Sequence, residues 1–184
     1  MRKLEELFFD RVPSPLGDLR LVWDEENRLR ALDFDGYDER MTDLLRRHYG
    51  APGEGHRLSD ARAPAAIVDR LTAYFGGELA AIESIVVESA GTPFQRRVWS
   101  ALRGIPLGTT TSYGKLAASI GYAGASRAVG AANGSNPIAI VVPCHRVIGS
   151  NGTLTGYGGG MDRKRWLLAH EHADFSREQP ILLL

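Results

Sequence analysis

The chain has 184 residues, 43% of them hydrophobic and 24% charged, with 22 Lys+Arg balanced by 22 Asp+Glu and a single cysteine. That size fits one or two compact domains, and the composition excludes disorder, collagen-like repeats and coiled coil. No apolar run reaches the ~18 residues that cross a bilayer, and one sulfur is too few for an intrachain disulfide, a zinc finger or an iron–sulfur cluster.

The polar start, Met1 to Glu6, has no apolar h-region, so a cytoplasmic location is expected. Neutral total charge conceals an asymmetry. Residues 1–90 carry 12 Lys+Arg against 18 Asp+Glu, a net of −6, whereas residues 91–184 carry 10 against 4, a net of +6. Such a division suits an anion-binding C-terminal half, or an attraction that docks one domain on the other.

Leu19–Trp23 and Leu29–Phe34 partly alternate around a polar Asp24–Asn27 turn, which predicts a β-hairpin. Tyr37, Met41, Leu44, Leu45 and His48 then fall on one helical face. A second helix opens at Pro64, carries Ile67, Val68, Leu71, Tyr74 and Phe75 on one side, and stops at Gly76-Gly77. The Gly50–Gly55 stretch between them has the composition of a loop. Nothing in this half has the pattern of a catalytic site: His48 reads as a helix-face residue and His56 as a loop residue, with no second ligand at chelating spacing.

Thr92-Pro93 caps and opens a helix that turns Phe94, Val98, Trp99 and Leu102 inward and ends at Ile105–Gly108. Ser112 caps a short helix with Leu116, Ala117 and Ile120 on its buried side, Gly121 terminates it, and another short helix spans about Ala125 to Asn133. Two short helices across a glycine-containing turn form a helix-turn-helix pattern. The second, with Arg127 its one bulky residue, suits either close approach to a groove or close packing on a neighbour.

After Asn136-Pro137, the β-prone run Ile138–Val142 predicts a buried strand leading into Pro143-Cys144-His145-Arg146. Proline before the thiol fixes the backbone, placing Cys144 on a rigid elbow suited to a nucleophile; the bland reading is a small buried hydrophobe, which the polar neighbours disfavour. A thiol of ordinary pKa supplies little thiolate near neutrality, so a base is needed, and His145 is the candidate. Side chains adjacent in an extended strand point to opposite faces, so its proton transfer with Cys144 calls for a bridging water or a bend. Glu171, on a predicted final helix, reads as the carboxylate that orients the base or as a solvated helix-end charge. Gly156–Gly160 either admits a substrate close to the backbone or simply turns the chain. It lacks the G-x-G-x-x-G frame of nucleotide-cofactor sites. Asn133-Gly134-Ser135 and Asn151-Gly152-Thr153 read as turns.

Thr92–Arg96, Thr111-Ser112-Tyr113, Ser126–Gly130, Asn136-Pro137 and Ile140–Ile148 resemble, in order, the O6-alkylguanine-DNA alkyltransferases. Gly156-Tyr157 and Arg163–Glu171 continue the resemblance, which covers about residues 91–172. It implies a two-domain α/β protein: a ribonuclease-H-like α/β domain over residues 1–90 in a supporting role, and a winged-helix-like helix-turn-helix domain over residues 91–184 that binds DNA and accepts the alkyl group. It implies a single-turnover suicide reaction in which Cys144 takes the alkyl group of a flipped O6-alkylguanine, and leaves acceptance of O4-alkylthymine open.

By the same resemblance, His145 is the water-relaying base, Glu171 orients it, Asn136 ties the turn to the site, and Tyr113 donates a proton to the leaving guanine. The carbonyls of Cys144 and Val147 read the guanine amino group. Tyr157 and Gly158 fall in the substrate-binding segment, where some relatives have serine at the position of Gly158 and this chain relies on a backbone N–H. Arg127 is the finger that fills the vacated stack, on a minor-groove recognition helix that includes Ser126 and Ala128, and Tyr113 also contacts the DNA. The expected partner is double-stranded DNA containing O6-alkylguanine, bound by a monomer with no cofactor, no metal and no membrane. The alternatives are a DNA-binding damage-recognition or regulatory module without turnover, and a cysteine hydrolase.

Overall fold

A computed structural model describes residues 4–175; Met1 to Lys3 of the polar N-terminal stretch and residues 176–184 lie outside it. The N-terminal half is built on a four-stranded sheet of β1 (Glu5–Val12), β2 (Leu19–Asp24), β3 (Leu29–Phe34) and β4 (His56–Asp60), ordered β3-β2-β1-β4. The predicted hairpin is β2–β3. Asp24 shapes its turn by accepting the amides of Glu26 (3.1 Å) and Arg28 (2.9 Å), and Asn27 takes a φ of 58°, a left-handed conformation that asparagine tolerates.

Strands β1 and β4 were not anticipated. β1 pairs antiparallel with β2 and parallel with β4. β4, His-Arg-Leu-Ser-Asp, has only His56 buried, so it carries no alternating apolar pattern and exists through pairing. His56 therefore heads a strand rather than sitting in a loop, its Nδ1 3.0 Å from the Gly50 carbonyl.

Both faces of the sheet are covered. Leu19, Leu21 and Trp23 of β2 face the main core, while Val22 and Ala31 point the other way onto Met41, Leu45 and Tyr49 of α1 (Asp38–Tyr49), as the two-residue period of a strand requires. The main core takes in Ile67, Leu71 and Tyr74 of α2 (Ala65–Phe75), which is followed by a 3-10 turn over Leu79–Ser84.

In the C-terminal half, α3 (Pro93–Arg103) begins with a full capping box between Thr92 and Gln95 and buries Val98, Trp99 and Leu102, with Phe94 only partly covered. A two-residue strand β5 (Thr111–Ser112) precedes α4 (Tyr113–Ser119). The Ser112 hydroxyl accepts the Lys115 amide at 3.2 Å, Gly121 stops the helix with a φ of 82°, and α5 (Ser126–Gly134) completes the helix-turn-helix. Asn133-Gly134-Ser135 closes α5 rather than forming a separate turn. β5 pairs in parallel with β6 (Val147–Ile148), and α6 (Met161–His170) packs behind. Among the described residues, no helix is long and apolar enough to cross a membrane.

The strand expected over Ile138–Val142 is absent. Ile138 makes one parallel bridge to Leu32, and the chain then turns, with Val142 N donating to Ile138 O at 3.0 Å and Ile140 at a φ of 68°. The physical reason is Asn136. Its side chain accepts the Ile138 amide at 3.0 Å and donates to the carbonyls of Val142 (2.8 Å) and Ile138 (3.4 Å), supplying locally the bonds a sheet would have supplied. Burial still holds, since every residue from Ile138 to Ile148 is buried.

The open edge of β3 joins the two halves. Leu32 N donates to Pro137 O and Ala139 N to Leu32 O, both at 2.9 Å, while Leu29 exchanges similar bonds with Val86 and Glu88. The N-terminal sheet is thus bonded, backbone to backbone, to the segment that leads into Cys144, and an otherwise unpaired edge is closed.

Candidate functional site

Cys144 opens a 3-10 turn, Cys144–Arg146, rather than ending a strand. In such a turn neighbouring side chains are about 120° apart rather than opposed, so the bend anticipated as one route between thiol and imidazole is present. The thiol is 6% exposed and His145 is 0% exposed. Burial pushes the Cys144 pKa up; a hydrogen bond from the Asn136 side chain and the charges of Arg40 and Lys164 pull it down without overcoming burial. The resting sulfur is a protonated thiol, and its activation requires proton removal.

Glu171 follows α6 as its C-cap residue and is 1% exposed, which discards the reading of a solvated helix-end charge. Arg146 grips it as a fork, Nε to Oε2 at 2.7 Å and Nη2 to Oε1 at 2.9 Å, and sends Nη1 to the Ile105 carbonyl at 2.6 Å. Burial alone would raise the carboxyl pKa, but the hydrogen bonds and charges of His145 and Arg146 outweigh it and hold Glu171 well below the ordinary range.

An ionised carboxylate only accepts, so the hydrogen in the 3.1 Å contact between His145 Nε2 and Glu171 Oε1 sits on the imidazole. Burial lowers the His145 pKa despite Glu171, so the ring is neutral at pH 7. Its Nδ1 is therefore a bare acceptor. That atom is buried and makes no hydrogen bond. The pair thus presents one oriented, unprotonated nitrogen beside the turn that carries the thiol.

The remaining sequence-predicted residues divide into two groups. Tyr157, half-buried with a buried hydroxyl, lies 6.4 Å from the His145 ring centroid, and Tyr113 Oη meets Thr155 Oγ1 at 3.0 Å. Val147 is fully buried. Its carbonyl already accepts Lys164 Nζ at 2.7 Å, and the Cys144 carbonyl accepts the Val147 amide, which leaves each a second lone pair for a ligand. Ser126, Arg127 and Ala128 are exposed on the first turn of α5, unlike the buried cluster around Cys144. Among the described residues, no group of three or more His, Cys, Asp or Glu is placed to hold a metal ion.

Sequence reasoning missed three contributors. Lys164 is fully buried, donates to the Val147 and Thr155 carbonyls, and is brought by burial down to about 8. Arg40 of α1 ion-pairs with buried Asp33, donates to the Asn136 carbonyl at 3.3 Å, and lies against Gly158. Tyr74 of α2 donates to Glu171 Oε1 at 2.8 Å. Residues of the N-terminal half, which has no catalytic pattern of its own, thus reach the site through Arg40 and Tyr74. Local pattern carried no signal for Arg40 or Tyr74; Lys164 had one, its place inside the Arg163–Glu171 motif.

Two family models match nearly the whole chain: the ribonuclease-like domain of 6-O-methylguanine DNA methyltransferase over residues 7–88, and the DNA-binding domain of the same protein over residues 93–173. The chain belongs to the 6-O-methylguanine DNA methyltransferase family. It is similar to a Salmonella typhimurium protein named methylated-DNA–protein-cysteine methyltransferase, 54% identical over 171 residues that cover 93% of this chain and 96% of the relative. A Mycobacterium bovis protein of the same name is 47% identical over 90% of this chain and 92% of its own. A crystal structure of Mycobacterium tuberculosis OGT in complex with DNA superposes with a TM-score of 0.74 at 43% identity, covering 91% of this chain and 92% of that one.

Proposed function

We propose that the protein repairs DNA by moving an alkyl group from O6-alkylguanine to Cys144 in one irreversible turnover. The observation that carries the reading is the buried thiol beside an imidazole whose proton is pinned to Nε2 by an ionised Glu171, leaving Nδ1 as the base. His145 Nδ1 takes the thiol proton through a bridging water, the sulfur attacks the saturated carbon, the S–C bond forms and the C–O6 bond breaks. The departing guanine takes up a proton supplied by Tyr113, so sulfur gains the alkyl group and the base gains hydrogen. Asn136 holds the turn, Arg127 fills the gap left by the flipped nucleotide, and Tyr157, Gly158 and the Val147 carbonyl line the base pocket.

Double-stranded DNA as partner is supported by charge as well as family. No Asp or Glu occurs from Gly91 to Met161, a stretch that includes Arg96, Arg97, Lys115 and Arg127. Residues 1–90 are assigned to a ribonuclease-H-like domain and residues 91–184 to a winged-helix-like one that enters the minor groove. A nucleophile that must stay reduced belongs in a reducing compartment, the cytoplasm. Cys144→Ala tests the reading: it is expected to bind methylated duplex with unchanged affinity and transfer nothing. Loss of both would make the cysteine structural.

A further inference from the structure

Glu171 Oε1 receives three hydrogen bonds: from His145 Nε2 at 3.1 Å, from Arg146 Nη2 at 2.9 Å and from Tyr74 Oη at 2.8 Å. The third comes from α2, 97 residues away in sequence, and its donor takes no other part in the site. Tyr74 is held firmly. Its side chain is fully buried, its carbonyl meets His170 Nε2 at 2.7 Å, and its ring sits edge-on to the His170 ring at 5.1 Å.

We propose that Tyr74 is a positioning residue for alkyl transfer: its hydroxyl shares one carboxylate oxygen with His145 and so sets how strongly Glu171 holds the imidazole in its protonated form. The inference rests on the His145–Glu171 relay proposed above and gives the N-terminal domain a part in it.

Each donor to a carboxylate oxygen draws off negative charge and lowers its basicity. A carboxylate relieved of one donor attracts an adjacent imidazolium more strongly, so His145 stays protonated to higher pH, and a protonated His145 cannot accept the thiol proton. The groups facing this pair come from the 3-10 turn, α6, the loop that carries Tyr157, and α2. Arg146 on the 3-10 turn and Lys164 on α6 both disfavour the imidazolium, Glu171 favours it, and the Tyr157 ring packs edge-on to the imidazole. Of these only Tyr74 is neutral and aimed at the shared oxygen. Burial next to an anion pushes its phenol far above the ordinary range, so it remains a donor throughout the working pH range.

Tyr74→Phe keeps the ring and removes the donor. Single-turnover transfer from O6-methylguanine duplex is measured from about pH 5 to pH 9, with duplex affinity and thermal midpoint recorded in parallel. The expected result is an acid-side limb moved upward by about half a pH unit or more, with duplex affinity unchanged. A rate lowered by one factor at every pH, or an unmoved profile, overturns the proposal, since a merely structural loss shifts no limb. Should Tyr74→Phe fail to fold, 3-fluorotyrosine at the same position supplies a stronger donor and is expected to move the limb downward; an unmoved limb there also overturns it. Wild-type protein that transfers no methyl group sinks the functional reading itself, and a wild-type acid limb that survives His145→Gln sinks the relay.

Discussion

Asn136 Nδ2 donates to the Val142 carbonyl at 2.8 Å, and the same side chain hydrogen-bonds the Cys144 sulfur. One amide therefore closes the turn that carries the nucleophile and touches the nucleophile itself. Asn136→Ala leaves the Ile138 amide and Val142 carbonyl, both buried, without these partners. A loss of about 2–4 kcal/mol of stability is expected, together with a transfer rate at least tenfold lower. Urea unfolding and single-turnover kinetics check the two effects; an unchanged rate would show that the turn does not depend on this side chain.

Gly158 and Gly159 are adjacent and closely packed against different partners. A Cβ at Gly159 would lie 2.4 Å from the Phe34 ring, in a packed interface between the halves, whereas one at Gly158 would meet the guanidinium of Arg40 at 2.8 Å, a group held by Asp33 and the Asn136 carbonyl. Gly159→Ala is expected to cost about 1–3 kcal/mol, as thermal unfolding would reveal. A Gly159→Ala midpoint equal to that of the wild type would contradict the placement of Phe34.

Stability is expected to fall with acid in two stages. Burial keeps the folded pKa of His145 below its ordinary 6.5, so as pH drops the unfolded chain takes up that proton first and unfolding is favoured. His48, also lowered by burial, acts in the same sense. Glu171 is held below its ordinary 4.5, so its contribution is present above that value and is lost as pH falls toward the folded pKa. Unfolding free energy measured from about pH 7 to pH 3 should decline throughout. His145→Gln is expected to flatten the upper part and Glu171→Gln the lower; a wild-type curve that rises with acid contradicts both assignments.

Arg127 is exposed on the first turn of α5. Arg127→Ala should weaken transfer from duplex about tenfold or more, as the role proposed for it in the stack of a flipped base requires, and leave reaction with free O6-alkylguanine unchanged. Equal loss in both assays removes the finger assignment.

What was legible in the sequence followed from how far each signal had to travel. The β2–β3 hairpin, the Thr92 and Ser112 caps and the two helices across Gly121 all rest on contacts within a few residues, and each lies where its local chemistry placed it. Strand β4 was invisible because His-Arg-Leu-Ser-Asp has no alternating pattern of its own and gains its register from β1. The Ile138–Val142 run was misread because β-propensity described its side chains correctly while Asn136 captured its backbone. Cys144, His145 and Glu171 could be picked out by residue type and family resemblance, but their partners could not. Tyr74 and Arg40 reach the site across 97 and 96 positions, and nothing in a helix face or a charged first turn marks such a contact.

The most direct test of the central claim is the mass of the intact protein after incubation with duplex bearing a single O6-methylguanine, followed by peptide mapping. The expected result is a gain of one methyl group per chain, located on Cys144, with the lesion restored to guanine and no second turnover. Unchanged mass with the lesion intact, or a methyl group on any other residue, would contradict it.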